Sequence, residues 1–183
     1  MNGIGKYIES LIKKAGHNQS YIARTIGIHR QSLSYVIAGR RELSISLALK
    51  LESFFNLREG ELMKIQAEES VRNYKQELKR KLVGKLLEAN AFWSYTNVCA
   101  ENIPDEELIE KTFIALDIND IALLFELYSR DYIRKVWRNG MAVQGDYYFN
   151  LNVMIALYYF GIKQPEKYLR RVEKKHFKKL SYA

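Results

Sequence analysis

At 183 residues, with 48% hydrophobic residues, 27% charged and only 2 prolines, the chain has the composition of one or two folded domains. One Cys and three scattered His (His17, His29 and His176) exclude a disulfide framework and offer no metal-ligand spacing, so no cofactor is expected. The formal charge is +8, and secreted and membrane classes drop out: the N-terminus lacks an apolar signal core and the longest apolar run, 153–162, is too short to cross a bilayer. A cytoplasmic location is the corresponding expectation.

Taken in chain order, nearly every segment reads as helix. Tyr7, Ile8, Leu11 and Ile12 form a one-sided apolar stripe that ends at Gly16. Asn18 suits the N-cap of a short helix that stops at Gly27, and another helix is predicted over about 30–38, stopping at Gly39. Ser44 then caps a helix carrying Ile45, Ala48, Leu49, Leu51 and Phe55, and a short fifth helix is expected at about 59–66. The stretch 67–85 is highly charged, with Val71, Tyr74, Leu78 and Leu82 spaced by 3, 4 and 4. That pattern suits a solvent-facing connector helix with one narrow apolar seam, and the domain boundary is placed inside it. Beyond it, Pro104 followed by Asp105, Glu106 and Glu107 is a helix start, with proline in the first turn and acids at the positive end of the dipole. Helices are expected at about 104–115, 118–129, 130–138, 147–161 and 165–179. The fold class is all-α: a helical bundle at 1–66, a charged connector at 67–85 and a small aromatic-rich helical domain at 86–183.

Charge follows the same division. Residues 1–66 hold 10 basic and 5 acidic side chains, residues 90–146 hold 5 and 10, and residues 147–183 hold 8 and 2. Basic ends flank an acidic middle, which argues against uniform coating of a polyanion. The basic N-terminal part is a candidate nucleic-acid module.

The most specific signal is QSYIARTIGIHRQSLSYVIAG, residues 19–39. Two helices that cross steeply through a short turn leave little room at the crossing, which Ala23 suits, and the turn needs a residue tolerant of a left-handed backbone, which is Gly27. Ile22, Ile26, Ile28, Leu33 and Val36 then form an apolar wedge, and Ile37 also points inward. The outer face of the second helix is left with Arg30, Gln31, Ser34 and Tyr35, with Ser32 alongside. Arg can grip guanine O6 and N7 with two donors, and Gln can pair with adenine N6 and N7. Arg40 and Arg41 would position the module on phosphate without reading sequence. The alternatives are an ordinary helical hairpin whose outer face meets water, a Ser32 that touches only solvent or phosphate, and a Tyr35 that serves packing.

These residues resemble the phage Cro-repressor type of helix-turn-helix domain over about 4–66. Within it, GIHRQSLSYVIAGRRELSISLALKLE is similar to the HigA-like branch of plasmid-maintenance antidotes. The resemblance implies a five-helix domain whose third helix enters the major groove, with Arg30, Gln31, Ser34 and Tyr35 reading base edges. It also implies phosphate contact at Gln19, where the second helix starts, and at Arg40 and Arg41. The family usually has Ser or Thr where this chain has His29, so the cap of the third helix is weakened and His29 becomes a further backbone contact.

The second half concentrates the aromatics, in Phe92-Trp93-Ser94-Tyr95, Tyr147-Tyr148-Phe149 and Tyr158-Tyr159-Phe160. Neighbours on a helix lie about 100° apart, so some of Tyr147, Tyr148, Tyr158 and Tyr159 must be at least partly exposed. They either fill a core or anchor a protein interface. Residues 85–165 also resemble an all-helical domain of proteins encoded beside nucleotidyltransferase-like toxins. The C-terminal run is strongly basic, with Tyr168, Val172 and Phe177 expected along one face, and could meet DNA phosphate, an acidic partner or anionic lipid. No glycine-rich phosphate loop is present and Cys99, without a nearby His, is expected to be a small buried hydrophobe. No enzymatic activity is expected.

The reading is therefore a sequence-specific transcriptional regulator, an antitoxin that represses its own operon. It would act as a homodimer on a palindromic duplex operator and hold a cognate toxin through its C-terminal domain. The alternatives are a one-component repressor with a ligand cavity among Trp93, Trp137 and Tyr158, and an interaction scaffold that no longer binds DNA.

Overall fold

The computed structural model describes residues 3–93 and 97–180, and every regular element among them is helical. The chain is all-α. It divides into two units, Met1–Tyr74 and Lys75–Ala183, each with its own hydrophobic core.

In the first unit α1 (Gly3–Lys14), α2 (Gln19–Thr25), α3 (Arg30–Ile37), α4 (Ile45–Phe55) and the start of α5 (Glu61–Glu88) surround Ile4, Ile8, Ile22, Leu33, Leu51 and Leu62, all at most 1% exposed. Local chemistry sets the ends. Asn18 Oδ1 accepts from the Tyr21 amide at 2.8 Å, and Ser44 Oγ from the Leu47 amide at 3.3 Å. Ile45 and Leu49 turn out exposed on α4, while Leu47, Ala48 and Leu51 carry its buried stripe.

The short helix expected at 59–66 and the connector at 67–85 are one helix, α5, of 28 residues. Nothing between Gln66 and Ala67 breaks it: AEES carries no glycine or proline and three of its four residues are good helix formers. Its first turns clamp the unit together. Glu52, only 2% exposed, accepts from the amides of Gly60 and Leu62 at 2.9 and 2.8 Å and so caps the helix start. Gln66 clasps both backbone groups of Leu43, and Tyr7 donates to Glu61 at 2.8 Å. Glu69 accepts from the free amides of Gly3 and Ile4 at the start of α1, which hold its carboxyl below the usual range although burial opposes them. Of the expected seam, Leu78 and Leu82 are buried, in the second core, but Val71 and Tyr74 are about half exposed.

The second unit packs the later part of α5 with α6 (Asp105–Ala115), α7 (Ile118–Leu127), α8 (Arg130–Asn139), α9 (Phe149–Tyr158) and α10 (Pro165–Leu180). The helix expected to begin at 147 is preceded by two 3₁₀ turns, Met141–Val143 and Gly145–Tyr148, so α9 starts at Phe149. Pro104 sits at the N-cap of α6, one position before the first turn. The acids behind it do more than cap. Asp105 accepts from Lys79 Nζ and from the Tyr128 hydroxyl, each at 2.7 Å, and Glu106 accepts from the Tyr132 hydroxyl at 2.8 Å. Burial pushes the Asp105 carboxyl up, but the Lys79 and Tyr128 bonds outweigh it and leave the group below the usual range. The Glu106 bond drives the Tyr132 hydroxyl up to about 12.

The centre of this core is Trp137, fully buried beside Leu82, Leu86, Leu108, Ile133 and Ile155. Its indole N–H donates to Asn152 Oδ1 at 2.8 Å, and Asn152 Nδ2 donates to the Met141 carbonyl at 2.9 Å. One buried amide thus satisfies the indole and the backbone of the tight turn after α8. Cys99 is exposed, contrary to expectation. It lies in the non-helical segment 97–102, where its amide donates to Asn102 Oδ1 at 2.8 Å, and not on the apolar face of a helix. Along α10, Tyr168 and Val172 pack against the core while Phe177 is 55% exposed, so the expected aromatic face ends before Phe177.

Replacing Asn152 by Ala orphans two buried partners at once. Urea unfolding followed by Trp fluorescence should show a loss of roughly 2–3 kcal/mol, since an unsatisfied buried group costs that order.

Candidate nucleic-acid interface

The helix pair α2–α3 turns through Ile26–His29, and two features hold the turn. Gly27 has φ +67°, the left-handed region. The Ile28 amide returns to the Ala23 carbonyl at 2.9 Å, and Ala23 itself is 2% exposed, small enough to let the helices close. Ile22, Leu33, Val36 and Ile37 enter the core, with Ile26 and Ile28 half-buried against it. The far end of α3 closes on Gly39, φ +72°, with the Arg40 amide bonded to Tyr35 O at 2.9 Å and the Gly39 amide to Val36 O at 3.0 Å. This paired closure ends the helix and sends the chain on through Arg40 and Arg41.

With Leu33, Val36 and Ile37 turned inward, α3 shows two other faces. Arg30 and Gln31 are exposed and Tyr35 is 38% exposed on the outer one, with Ser34 half-buried at its edge. Gln31 Nε2 donates to the Tyr35 hydroxyl at 2.7 Å, which orders both side chains. One amide hydrogen and the amide oxygen of Gln31 stay available, the pair that adenine recognition needs. Among the described residues, no carboxylate is recorded against Arg30, Arg40 or Arg41, so their charges are uncompensated.

The second face borders a cleft of about 300 Å³ lined by His29, Ser32, Arg41, Ser44, Ser46 and Lys50, with Glu42 as its acidic member. His29, Ser32 and Arg41, all expected to meet the DNA backbone, thus line one cleft. His29 is the N-cap residue of α3 but its side chain makes no capping bond, and it is exposed. Gln19 is half-buried at the first position of α2, and Arg40 is exposed beyond the cleft. Lys50, Ser44 and Ser46 were not singled out from the sequence. Lys50 Nζ reaches the Gly27 carbonyl at 3.4 Å across 23 residues, a proximity that no local spacing reveals.

The aromatic residues of the second unit do not gather. Trp137 is solid core, whereas Trp93 is 81%, Tyr158 65% and Tyr147 82% exposed, so the three residues expected around a ligand cavity do not enclose one. Ser94 and Tyr95 lie outside the described residues. Among the described residues no helix is long and apolar enough to cross a membrane, and no His, Cys, Asp and Glu cluster suited to a metal ion is present.

Comparison with known proteins agrees with this geometry. The family model described as Helix-turn-helix matches residues 8–62. No curated protein and no solved structure matches the chain. The match at residues 8–62 supports a DNA-binding helix-turn-helix domain of the kind found in transcriptional regulators.

Gly27→Ala places a Cβ in open space, but on a left-handed backbone. Chemical denaturation should therefore report a loss of about 1–2 kcal/mol from backbone strain alone.

Proposed function

We propose, from the helix-turn-helix domain at residues 8–62, that the chain represses transcription of its own operon by reading a palindromic operator, and serves there as the antidote to a cognate toxin. The observation that carries the reading is the uncovered outer face of α3, where Arg30, Gln31 and Tyr35 stand in solvent on a helix whose other side is locked into the core. In this reading Arg30, Gln31, Ser34 and Tyr35 meet base edges in the major groove. Gln19, His29, Ser32, Arg40 and Arg41 bind phosphate, and the cleft that joins His29, Ser32 and Arg41 brings Lys50 and the start of α4 to the same strand. An eight-residue recognition helix addresses only a few base pairs, which favours a homodimer with half-sites about one helical turn apart.

The second unit supports the antidote role. Its core is solid around Trp137, and it leaves Trp93, Tyr147 and Tyr158 in solvent, large amphipathic side chains of the kind that anchor protein interfaces. A cytoplasmic, non-enzymatic regulator is the corresponding cellular picture.

The operator can be selected from random duplexes with the full chain. Arg30→Ala and Gln31→Ala should each weaken specific binding by roughly 1–3 kcal/mol and relax preference at one position, with the helical signal unchanged. Arg41→Ala should weaken all duplexes alike and reduce the salt slope by about one. Unchanged affinity at Arg30 and Gln31 at fixed salt would remove the base-reading role. Tyr147→Ala and Tyr158→Ala should leave operator selection intact and release the product of the adjacent gene in co-purification, if that product is the toxin.

A further inference from the structure

A cavity of about 630 Å³ opens on the second unit, lined by Arg138, Arg171, Lys175 and His176 together with Tyr168 and Val172. Among the described residues no acidic side chain lines it. The arrangement follows from helical register: 168, 171, 172 and 175 fall three, four and seven apart, so one stripe of α10 brings an aromatic ring, an aliphatic side chain and two cations to the same wall. Arg138 comes from the last turn of α8. Tyr168 is held flat by the core, parallel to Trp137 within 7° at 6.1 Å between centroids.

The charges of this wall are left open. Arg170, one position before Arg171, is neutralised by Asp146 at 3.0 Å and Glu173 at 3.5 Å. Among the described residues no such partner is recorded for Arg138, Arg171 or Lys175. Like charges gathered around one concavity repel each other, and an anion that enters relieves that repulsion. Arginine forks and a lysine ammonium match phosphoryl oxygens, with Arg supplying paired donors. The volume is far more than a lone phosphate fills and lies in the range of small-molecule sites.

We propose that this cavity binds a nucleoside polyphosphate, with Arg138, Arg171 and Lys175 on the phosphoryl groups and Tyr168 and Val172 beside the organic part. The site belongs to the second unit and does not depend on the repressor reading of the first. It would give the regulator a small-molecule input at residues remote in sequence from the recognition helix.

The test is calorimetric titration of the full chain with ATP, with inorganic tripolyphosphate and with a duplex of unrelated sequence, at physiological salt. Saturable ATP binding is expected, with tripolyphosphate competing more weakly. Arg171→Ala and Lys175→Ala, both exposed positions, should each lower ATP affinity about tenfold, the loss expected for one charge-assisted contact. Lys167→Ala removes the same charge from α10 outside the cavity and should change affinity by less than about twofold. Circular dichroism verifies that each variant is folded. Absence of saturable ATP binding would overturn the proposal, as would an equal loss from Lys167→Ala. So would duplex binding that needs Arg171 and Lys175 but is not displaced by ATP or tripolyphosphate, which would make the wall a nucleic-acid surface.

Discussion

A helix can present a polar face to DNA only if something else holds its opposite face, and in this chain that hold comes from the closeness with which α2 meets α3. Ala23 leaves room at the approach, and Gly27 reverses the chain through a backbone conformation that costs other residues about 1–2 kcal/mol. Leu33, Val36 and Ile37 then enter the core as a set. With three of eight positions in α3 committed inward, Arg30 and Gln31 are left exposed beside a Tyr35 that keeps 38% of its surface open, and the contact between Gln31 and Tyr35 orders both side chains before any ligand arrives. Ordering in the free state lowers the entropy lost on binding.

The rest of the first unit serves to keep that pair of helices fixed. α5 works as a strap, tied down by polar side chains that meet otherwise unpaired backbone groups. Glu52 on α4 takes the amides of Gly60 and Leu62 where α5 begins, Glu69 on α5 takes those of Gly3 and Ile4, and Gln66 on α5 closes on Leu43. Charge-assisted bonds to helix N-termini are among the stronger polar contacts available to a small domain. Small domains bury too little apolar surface to do without them.

The second unit solves the same problem differently. Among the described residues its one deeply buried amide, Asn152, joins α9 to Trp137 and to the turn at Met141. The result is a firm core with two surfaces of opposite character: exposed aromatics at Trp93, Tyr147 and Tyr158, and a cationic concavity along α10.

Amphipathic periodicity, caps and glycine stops made the helical class, the turn at Gly27 and the outer face of α3 readable from the amino acids, because each depends on neighbours within about one or two turns. Asn18 and Ser44 cap where their types and positions indicate, and Gly39 ends α3. Interactions that span long separations were not readable. That Cys99 lies exposed and that Trp93 and Trp137 have opposite fates depend on what packs against each, which no local pattern records. The cleft that assembles His29, Ser32, Arg41 and Lys50, and the wall that assembles Arg138 with Arg171 and Lys175, exist only once separate helices pack. Sequence therefore determined which faces the helices have, since a face is set by periodicity along one element, and tertiary packing decided which faces meet, since that depends on shape and volume contributed by residues far along the chain.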